Sequence, residues 1–201
     1  MYPHLYKITK GMCGTIMKKF LSVLLMVLLT VMLFASSQGE TKTYKVGDRG
    51  PAGGYVFYDK GTYSDGWRYL EAAPNNVTDG SKKAYEFGYG TIDETSDAIG
   101  MGKSNTKAIV ERFGEGEYAA KVCDDYTCNG FDDWFLPSPG ELKLMYKNLF
   151  MNNKGNFKIG RYWSSYVNYS GDAYYLFMHN GCLYSDNPRD ASCSVRPIRA
   201  F

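Results

Sequence analysis

One short turn constrains the fold more than any other feature of the sequence. The dipeptide Asn180-Gly181 lies between two runs of strand-forming residues, 177–179 and 182–184. A type I′ turn needs positive φ at both central residues, and Asn and Gly tolerate that backbone conformation best. We therefore predict a β-hairpin with a type I′ turn at residues 180–181, within a strand-rich C-terminal quarter.

Strand-forming runs occupy both ends of the mature chain, and helical patterns lie between them. Aromatic and alternating runs at 55–58 and 67–72 predict a strand pair, joined by a polar loop at 59–66. Further strands are predicted at 162–165, 173–178, 182–184 and 192–200. Strands, then helices, then strands are typical of an α+β domain with two or three helices on a small, mostly antiparallel sheet.

The middle of the chain holds the helix signals. Ser138-Pro139-Gly140-Glu141 predicts a helix start, because Ser138 and Glu141 fit a capping box and proline fits the first helical position. Its core face is predicted to carry three apolar side chains, those of Leu142, Met145 and Leu149. Other helices are predicted at 104–113, capped by Ser104 and ended by Gly114, and at 118–123; residues 75–102 are expected to form a long surface loop.

The first 37 residues predict a leader. Met17-Lys18-Lys19 precedes an apolar run from Phe20 to Phe34, and small residues follow it. This is the pattern of a secretory signal peptide, and the run is shorter than the roughly 20 apolar residues of a spanning helix. We expect translation to start at Met17, cleavage to fall after residue 37, and a short linker at 38–43 to precede a domain at 44–201. The mature protein is then secreted or periplasmic, in the cell envelope, without membrane insertion.

Removal of the leader changes the net charge. The chain has 23 basic and 21 acidic residues, and the leader contains four lysines and no acidic residue. The mature domain therefore carries 19 basic and 21 acidic residues, a net charge of about −2. Such a domain lacks the basic surface that nucleic acid requires, so nucleic acid is excluded as a partner.

Four cysteines remain after the leader, an even number in an exported domain, which predicts two disulfides. Four cysteines allow three connectivities, and the sequence does not choose between them. We favour the two local pairs, Cys182–Cys193 and Cys123–Cys128. A crossed pairing that joins a helix to the sheet would close a longer loop and stabilise more.

Five motifs in order carry a resemblance to a known family. They are 50–58 (GPAGGYVFY), 70–74 (LEAAP), 133–138 (DWFLPS), 162–165 (YWSS) and 195–199 (VRPIR). Together they resemble the Lcl C-terminal domain family, named for a bacterial collagen-like adhesin, over about residues 44–201. The resemblance implies an exported domain with a C-type lectin-like fold. The founding adhesin is associated with glycosaminoglycan binding, but Arg196 and Arg199 are the only basic pair near this C-terminus, so that affinity is not carried over.

The sequence offers little for catalysis. His179 is the only histidine of the mature domain, and it lies beside the predicted turn. The acidic pairs 124–125 and 132–133 are adjacent in sequence, whereas glycosidase carboxylates face each other across a cleft. We interpret these pairs as turn-forming or hydrogen-bonding residues. The domain is therefore expected not to be an enzyme and to need no cofactor, with calcium as the one possible ion.

The leading hypothesis is a non-enzymatic, adhesion-type module that recognises a glycan or a surface protein through loops of the C-terminal sheet. Aromatic and acidic residues are dense there, and rings contact both sugars and proteins. The candidate contact residues are Tyr166, Asp172, Tyr174, Asp186, Asn187 and Asp190. The last three offer the oxygen ligands of a possible calcium site.

Two alternatives follow from the same residues. The formylglycine-generating oxidases have a related fold and a similar helix start, and they hold copper with a pair of cysteines. Cys182 and Cys193 would have to remain reduced to act as such a pair. A structural envelope component, whose domain only mediates self-assembly, is the other alternative; the oligomeric state is not predicted.

Overall fold

The structure is a computed structural model that describes Met26, residues 42–77, Ile92, residues 95–186 and residues 193–201. The chain divides into two compact units, Met1–Thr43 and Tyr44–Phe201, and only the second is described in detail. Apart from Met26, the predicted leader lies outside the described residues. In this described part of the chain, no helix has the length and apolar character needed to cross a membrane.

The described part of the second unit contains two three-stranded antiparallel sheets and three helices. The first sheet has the order β1-β2-β6 and the second β3-β4-β5. The strands are β1 (Tyr55–Ser64), β2 (Trp67–Ala72), β3 (Arg161–Val167), β4 (Ala173–Phe177), β5 (Cys182–Asp186) and β6 (Ile198–Ala200). The helices are α1 (Gly102–Phe113), α2 (Ala119–Asp124) and α3 (Pro139–Asn148), and a 3-10 turn spans Phe150–Asn152.

The α+β class is confirmed, but its strands divide differently from the prediction. The predicted single sheet is two sheets, because β6 pairs with β2 and not with the C-terminal hairpin. Of the predicted strand at 192–200, residues 193–200 are described, and only three of these form a strand, although Ser194 makes a parallel bridge to Tyr162. The predicted loop at 59–66 is mostly strand, and its turn is Asp65-Gly66, where both residues have positive φ.

Helix α3 confirms its sequence signals. The Ser138 hydroxyl accepts a hydrogen bond from the Glu141 N–H, and the Glu141 carboxylate accepts one from the Ser138 N–H at 2.7 Å. The predicted apolar face of Leu142, Met145 and Leu149 is fully buried. This face packs into one of the two main clusters of the core, together with residues of β3 and β4.

Helix α1 begins two residues earlier than predicted. Met101 is the N-cap, and the Ser104 hydroxyl donates to the Met101 carbonyl instead of capping the helix. The buried carboxylate of Glu141 accepts a hydrogen bond from the Gly100 N–H at 2.9 Å and lies against Gly102. A side chain of α3 therefore binds the backbone at the start of α1. The predicted end is confirmed, since the Gly114 N–H donates to the Val110 carbonyl.

The C-terminal hairpin is present, but its predicted turn type was wrong. Phe177 pairs with Cys182, so the loop has four residues, and Gly181 has a φ of +69° while Asn180 is not among the residues with positive φ. A Cβ on Gly181 would overlap the ring of Tyr146 on α3. Glycine is therefore required both by the backbone conformation and by the helix that packs on the turn.

A buried charge network joins distant parts of the chain. Arg199 donates to Glu71 at 2.9 Å and makes two hydrogen bonds to Asp133, at 2.6 and 2.9 Å. The Glu71 carboxylate also accepts the Ala52 N–H, and its second oxygen is buried without a hydrogen-bond partner among the described residues. A Cβ on Gly50 would overlap this carboxylate, so the glycine-rich loop closes directly over Glu71.

Arg196 is buried in a different way. Its guanidinium donates to the carbonyls of Ala73 and Gly155 and to the side chain of Asn76, and it lies over the ring of Phe157 at 4.1 Å. No carboxylate pairs with it in the part of the chain that the structure describes. Burial lowers the pKa of Arg196 to about 10. Both arginines are structural and are not surface cations for an anionic ligand.

We predict that Arg199→Met destabilises the domain by about 3–5 kcal/mol, because it leaves the buried Glu71 carboxylate without its positive partner. Urea unfolding at neutral pH measures the change. The control is Lys107→Met, which removes an exposed pair with Glu111 and should cost no more than about 0.5 kcal/mol. Equal losses in the two variants would contradict the structural role of Arg199.

Asp133→Asn is expected to remove a contribution to the free energy of unfolding that the wild type loses at low pH. Burial acts to raise the pKa of Asp133, but the hydrogen bonds and charge of Arg199 outweigh it and hold this pKa below 3.8. A depressed pKa stabilises the folded state above the unfolded pKa, and this contribution is lost as the pH falls through the folded value. The difference in unfolding free energy between wild type and variant should therefore shrink below about pH 4. A pH-independent difference in urea titrations would refute this.

Candidate functional site

The described candidate contact residues lie at one end of the second sheet. Tyr166 is on β3, Asp172 directly precedes β4, and Tyr174 follows it on β4. Ala173 pairs with Val167 on one side and with Asp186 on the other. Asp186 ends β5, so its backbone lies at the same end of the sheet. Asn187 and Asp190 lie outside the described residues.

Three tyrosines form the aromatic part of this end, and we call them the tyrosine cluster: Tyr166, Tyr169 and Tyr174. The rings of Tyr166 and Tyr174 have centroids 5.0 Å apart and are tilted by 60°. Tyr169, in the loop between β3 and β4, is 90% exposed. Burial raises the pKa of Tyr166, and the charges of Tyr174, Asp97 and Tyr169 raise it further. Two half-buried rings thus stand beside one ring that is almost fully in solvent.

The loop that carries Tyr169 is held by its own hydrogen bonds. The side-chain oxygen of Asn168 accepts the N–H groups of Ser170 and Asp172, both at 2.9 Å. The Asn168 amide donates to the Asp172 carboxylate at 3.1 Å, and the two backbones are also bonded. The loop is therefore preorganised and presents Asp172 next to the tyrosine cluster.

The surface around the tyrosine cluster is shallow. The cleft between Thr95, Ile92 and the residues 166–169 has a volume of about 30 Å³, which is the volume of one water molecule in the liquid. Thr95 closes it, because its hydroxyl exchanges hydrogen bonds with the backbone of Val167. A ligand here would lie on the surface and would not be enclosed.

A larger concavity, which the sequence did not reveal, lies at the first sheet. We call it the Trp67 groove; its volume is about 430 Å³. It is lined by Asp65, Trp67, Leu70, Gly100, Lys103, Ser104, Lys107, Phe135 and Ala200. Trp67 is only half-buried, whereas Trp134 and Trp163 are buried. The sequence signal for this partial exposure was the position of Trp67 directly after the Asp65-Gly66 turn, because a residue there stands at the end of a sheet.

The predicted disulfide Cys182–Cys193 is absent, and the sheet order explains why. Cys193 precedes Ser194, whose segment bonds to the outer side of β3, while Cys182 starts β5 at the opposite edge. Three strand spacings of about 4.8 Å separate the two lines of backbone, which exceeds the roughly 7 Å that a disulfide spans. Cys182 is exposed and its thiol is free.

The predicted disulfide Cys123–Cys128 is also absent. Cys123 faces the core from α2 and is fully buried, in the same apolar cluster as Cys193. Cys128 packs instead with Ala52 and Trp134 in a separate cluster, and its thiol donates to the Ala52 carbonyl at 3.5 Å. The helix α2 therefore directs the Cys123 thiol into one cluster, while Cys128, beyond the end of the helix, packs into another.

Two of the acidic residues considered for catalysis hold structural positions. Asp133 binds Arg199, and Asp125 binds Lys121 one helical turn away. His179 is exposed in the hairpin loop, with its ring 5.7 Å from that of Phe177. Among the described residues, no group of three or more His, Cys, Asp or Glu side chains is placed to hold a metal ion. Since Asn187 and Asp190 are outside this part, the calcium site stays a prediction.

The sequence matches no protein-family model, and no curated protein matches it.

We predict that Cys182 is the fastest-reacting thiol of the native domain. It is exposed, whereas burial raises the pKa of the Cys123 thiol well above its usual value and so removes the reactive thiolate. Titration with a chromogenic disulfide reagent should show a fast phase that Cys182→Ser abolishes, and Cys123 should react only after unfolding. A native protein whose fast phase persists in Cys182→Ser would contradict the structure.

Proposed function

We propose that the chain is an exported, non-enzymatic binding module that recognises a glycan through the tyrosine cluster. The observation that carries the proposal is the combination of an exposed ring with a preorganised polar loop. Tyr169 is 90% exposed, and the loop that holds it is fixed by the hydrogen bonds of Asn168. An exposed aromatic side chain of this size, held in place without a packing role, is typical of a contact residue.

The chemistry of the cluster suits a sugar. Ring faces pack against the apolar C–H faces of a sugar ring, while carboxylate and amide groups beside them bind its hydroxyls. Asp172 and Asn168 supply such groups next to Tyr169 and Tyr174. Because the loop is already ordered, binding costs little conformational entropy. The shallow surface favours the end or the edge of a glycan chain over an enclosed monosaccharide.

The sequence supports the proposed location outside the cytoplasm. The predicted signal peptide directs the chain out of the cytoplasm, and the five ordered motifs resemble an adhesin domain family. Adhesion to a glycan outside the cell is the role that joins these features. The oxidase alternative gains no support from the cysteines it would use, because Cys182 is exposed at one edge of the second sheet and Cys193 is buried beyond the other.

The test is a glycan array with the full chain, with and without Ca²⁺, followed by titration of the best glycan. Tyr169→Ala and Tyr174→Ala should each weaken binding, by up to about tenfold, because each removes one aromatic contact worth about 0.5–1.5 kcal/mol. The matched control is Tyr63→Ala, since Tyr63 is 70% exposed on the other sheet.

Binding that is lost equally in Tyr63→Ala would place the glycan elsewhere. No binding above background, in either the presence or the absence of Ca²⁺, would refute the glycan proposal. Binding that requires Ca²⁺ would point to Asp186, Asn187 and Asp190 as its ligands.

A further inference from the structure

We propose that the Trp67 groove is a second binding site, and that it takes a small monoanion with an apolar body: a carboxylate attached to an aromatic or branched aliphatic group. This site is separate from the tyrosine cluster and does not depend on glycan binding. Its volume of about 430 Å³ lies in the range of roughly 300–1,000 Å³ that is usual for small-molecule sites.

The floor of the groove is apolar. Leu70 and Phe135 form its base and are 1% and 3% exposed, and Ala200 of β6 lies beside them. Trp67 contributes the half-buried aromatic wall. A neutral sugar would leave many hydroxyls facing this floor without hydrogen-bond partners, which is costly. An aromatic or branched aliphatic group matches it.

The charged side chains that line the groove have a net charge of +1. Lys103 and Lys107 line it from successive turns of α1, and Asp65 is its one acidic lining residue. Asp65 pairs with Lys60 at 3.6 Å, and Lys107 pairs with Glu111 at 3.6 Å. Lys103 makes no salt bridge with any described residue.

The acidic groups near Lys103 leave its charge available. The first turn of α1 has no acidic residue. The charge of Lys103 acts on Asp133 and helps to lower its pKa, but the Asp133 carboxylate is held by two hydrogen bonds from Arg199. One unpaired cation above an apolar floor complements one negative charge. A polyanion would place further negative charge near Asp65, which also lines the groove.

The groove is preformed. The Lys60 ammonium lies 3.8 Å from the centre of the Trp67 ring and donates to the Ser64 carbonyl at 2.6 Å, which fixes the indole against the hairpin. A Cβ on Gly100 would come within 3.2 Å of the indole edge, so the backbone before α1 closes the other side. A rigid wall of this kind lowers the entropy cost of binding.

The test is an NMR titration of the ¹⁵N-labelled full chain with N-acetyl-L-phenylalanine. The chain has three tryptophans, and Trp134 and Trp163 are 2% and 1% exposed. Only the indole N–H signal that Trp67→Phe removes should therefore shift. The neutral analogue N-acetyl-L-phenylalaninamide should shift this signal with about fivefold weaker affinity, because it lacks the negative charge that Lys103 contacts.

Lys103→Gln should weaken binding by about fivefold, which corresponds to about 1 kcal/mol for one exposed charge contact. The matched control is Lys143→Gln, an exposed lysine on α3, which should bind as wild type. Equal affinity for acid and amide, unchanged affinity in Lys103→Gln, or movement of no indole signal would each overturn the proposal.

A second titration distinguishes two sources of the same chemistry. A tripeptide that ends in a free C-terminal phenylalanine is compared with N-acetyl-L-phenylalanine at the same site. Tighter binding of the tripeptide assigns the groove to peptide C-termini, and equal or weaker binding assigns it to free organic acids. Both outcomes require the shift of the Trp67 signal and support the site.

Discussion

The ion pair between Arg199 and Glu71 is the interaction on which the rest of the structure depends. It joins the last strand to β2 and, through Asp133, to the segment before α3. Removal of two charges from water is expensive, so this arrangement is stable only while every partner is in place. The glycine-rich loop over Glu71 completes the enclosure and excludes water from it. Four of the five ordered motifs, 50–58, 70–74, 133–138 and 195–199, contribute residues to this one network.

Local signals predicted the elements that depend on neighbouring residues. The capping box fixed the start of α3, because both of its hydrogen bonds lie within four residues. The strand pair of β1 and β2 and the C-terminal hairpin followed from alternation and turn residues in the same way. The turn type of the hairpin did not, since Tyr146 packs against Gly181 from a distant helix and shares in setting that turn.

Long-range pairing accounts for the features that the sequence did not predict. The cysteine pairs were chosen by proximity along the chain, but Cys182 and Cys193 stand at opposite edges of a sheet whose order no local pattern reveals. Tyr166 and Tyr174 were predicted as contact residues because they lie within ten positions of each other, whereas the exposed Tyr169 was not among the candidates. The Trp67 groove was missed, because its walls come from β2, α1 and β6, which meet only after folding.

The separation of the central ion pair along the chain has a consequence for biosynthesis. Glu71 and Arg199 are 128 positions apart, and Arg196 bonds to Ala73 across 123 positions. Neither arginine can therefore reach its partner until more than 120 further residues have been synthesised. Until then, the Glu71 carboxylate has no counterion, and native burial of it is unfavourable. Closure of this network is therefore a late step of folding. A polypeptide that is exported as proposed would stay unfolded long enough for a translocation channel to accept it.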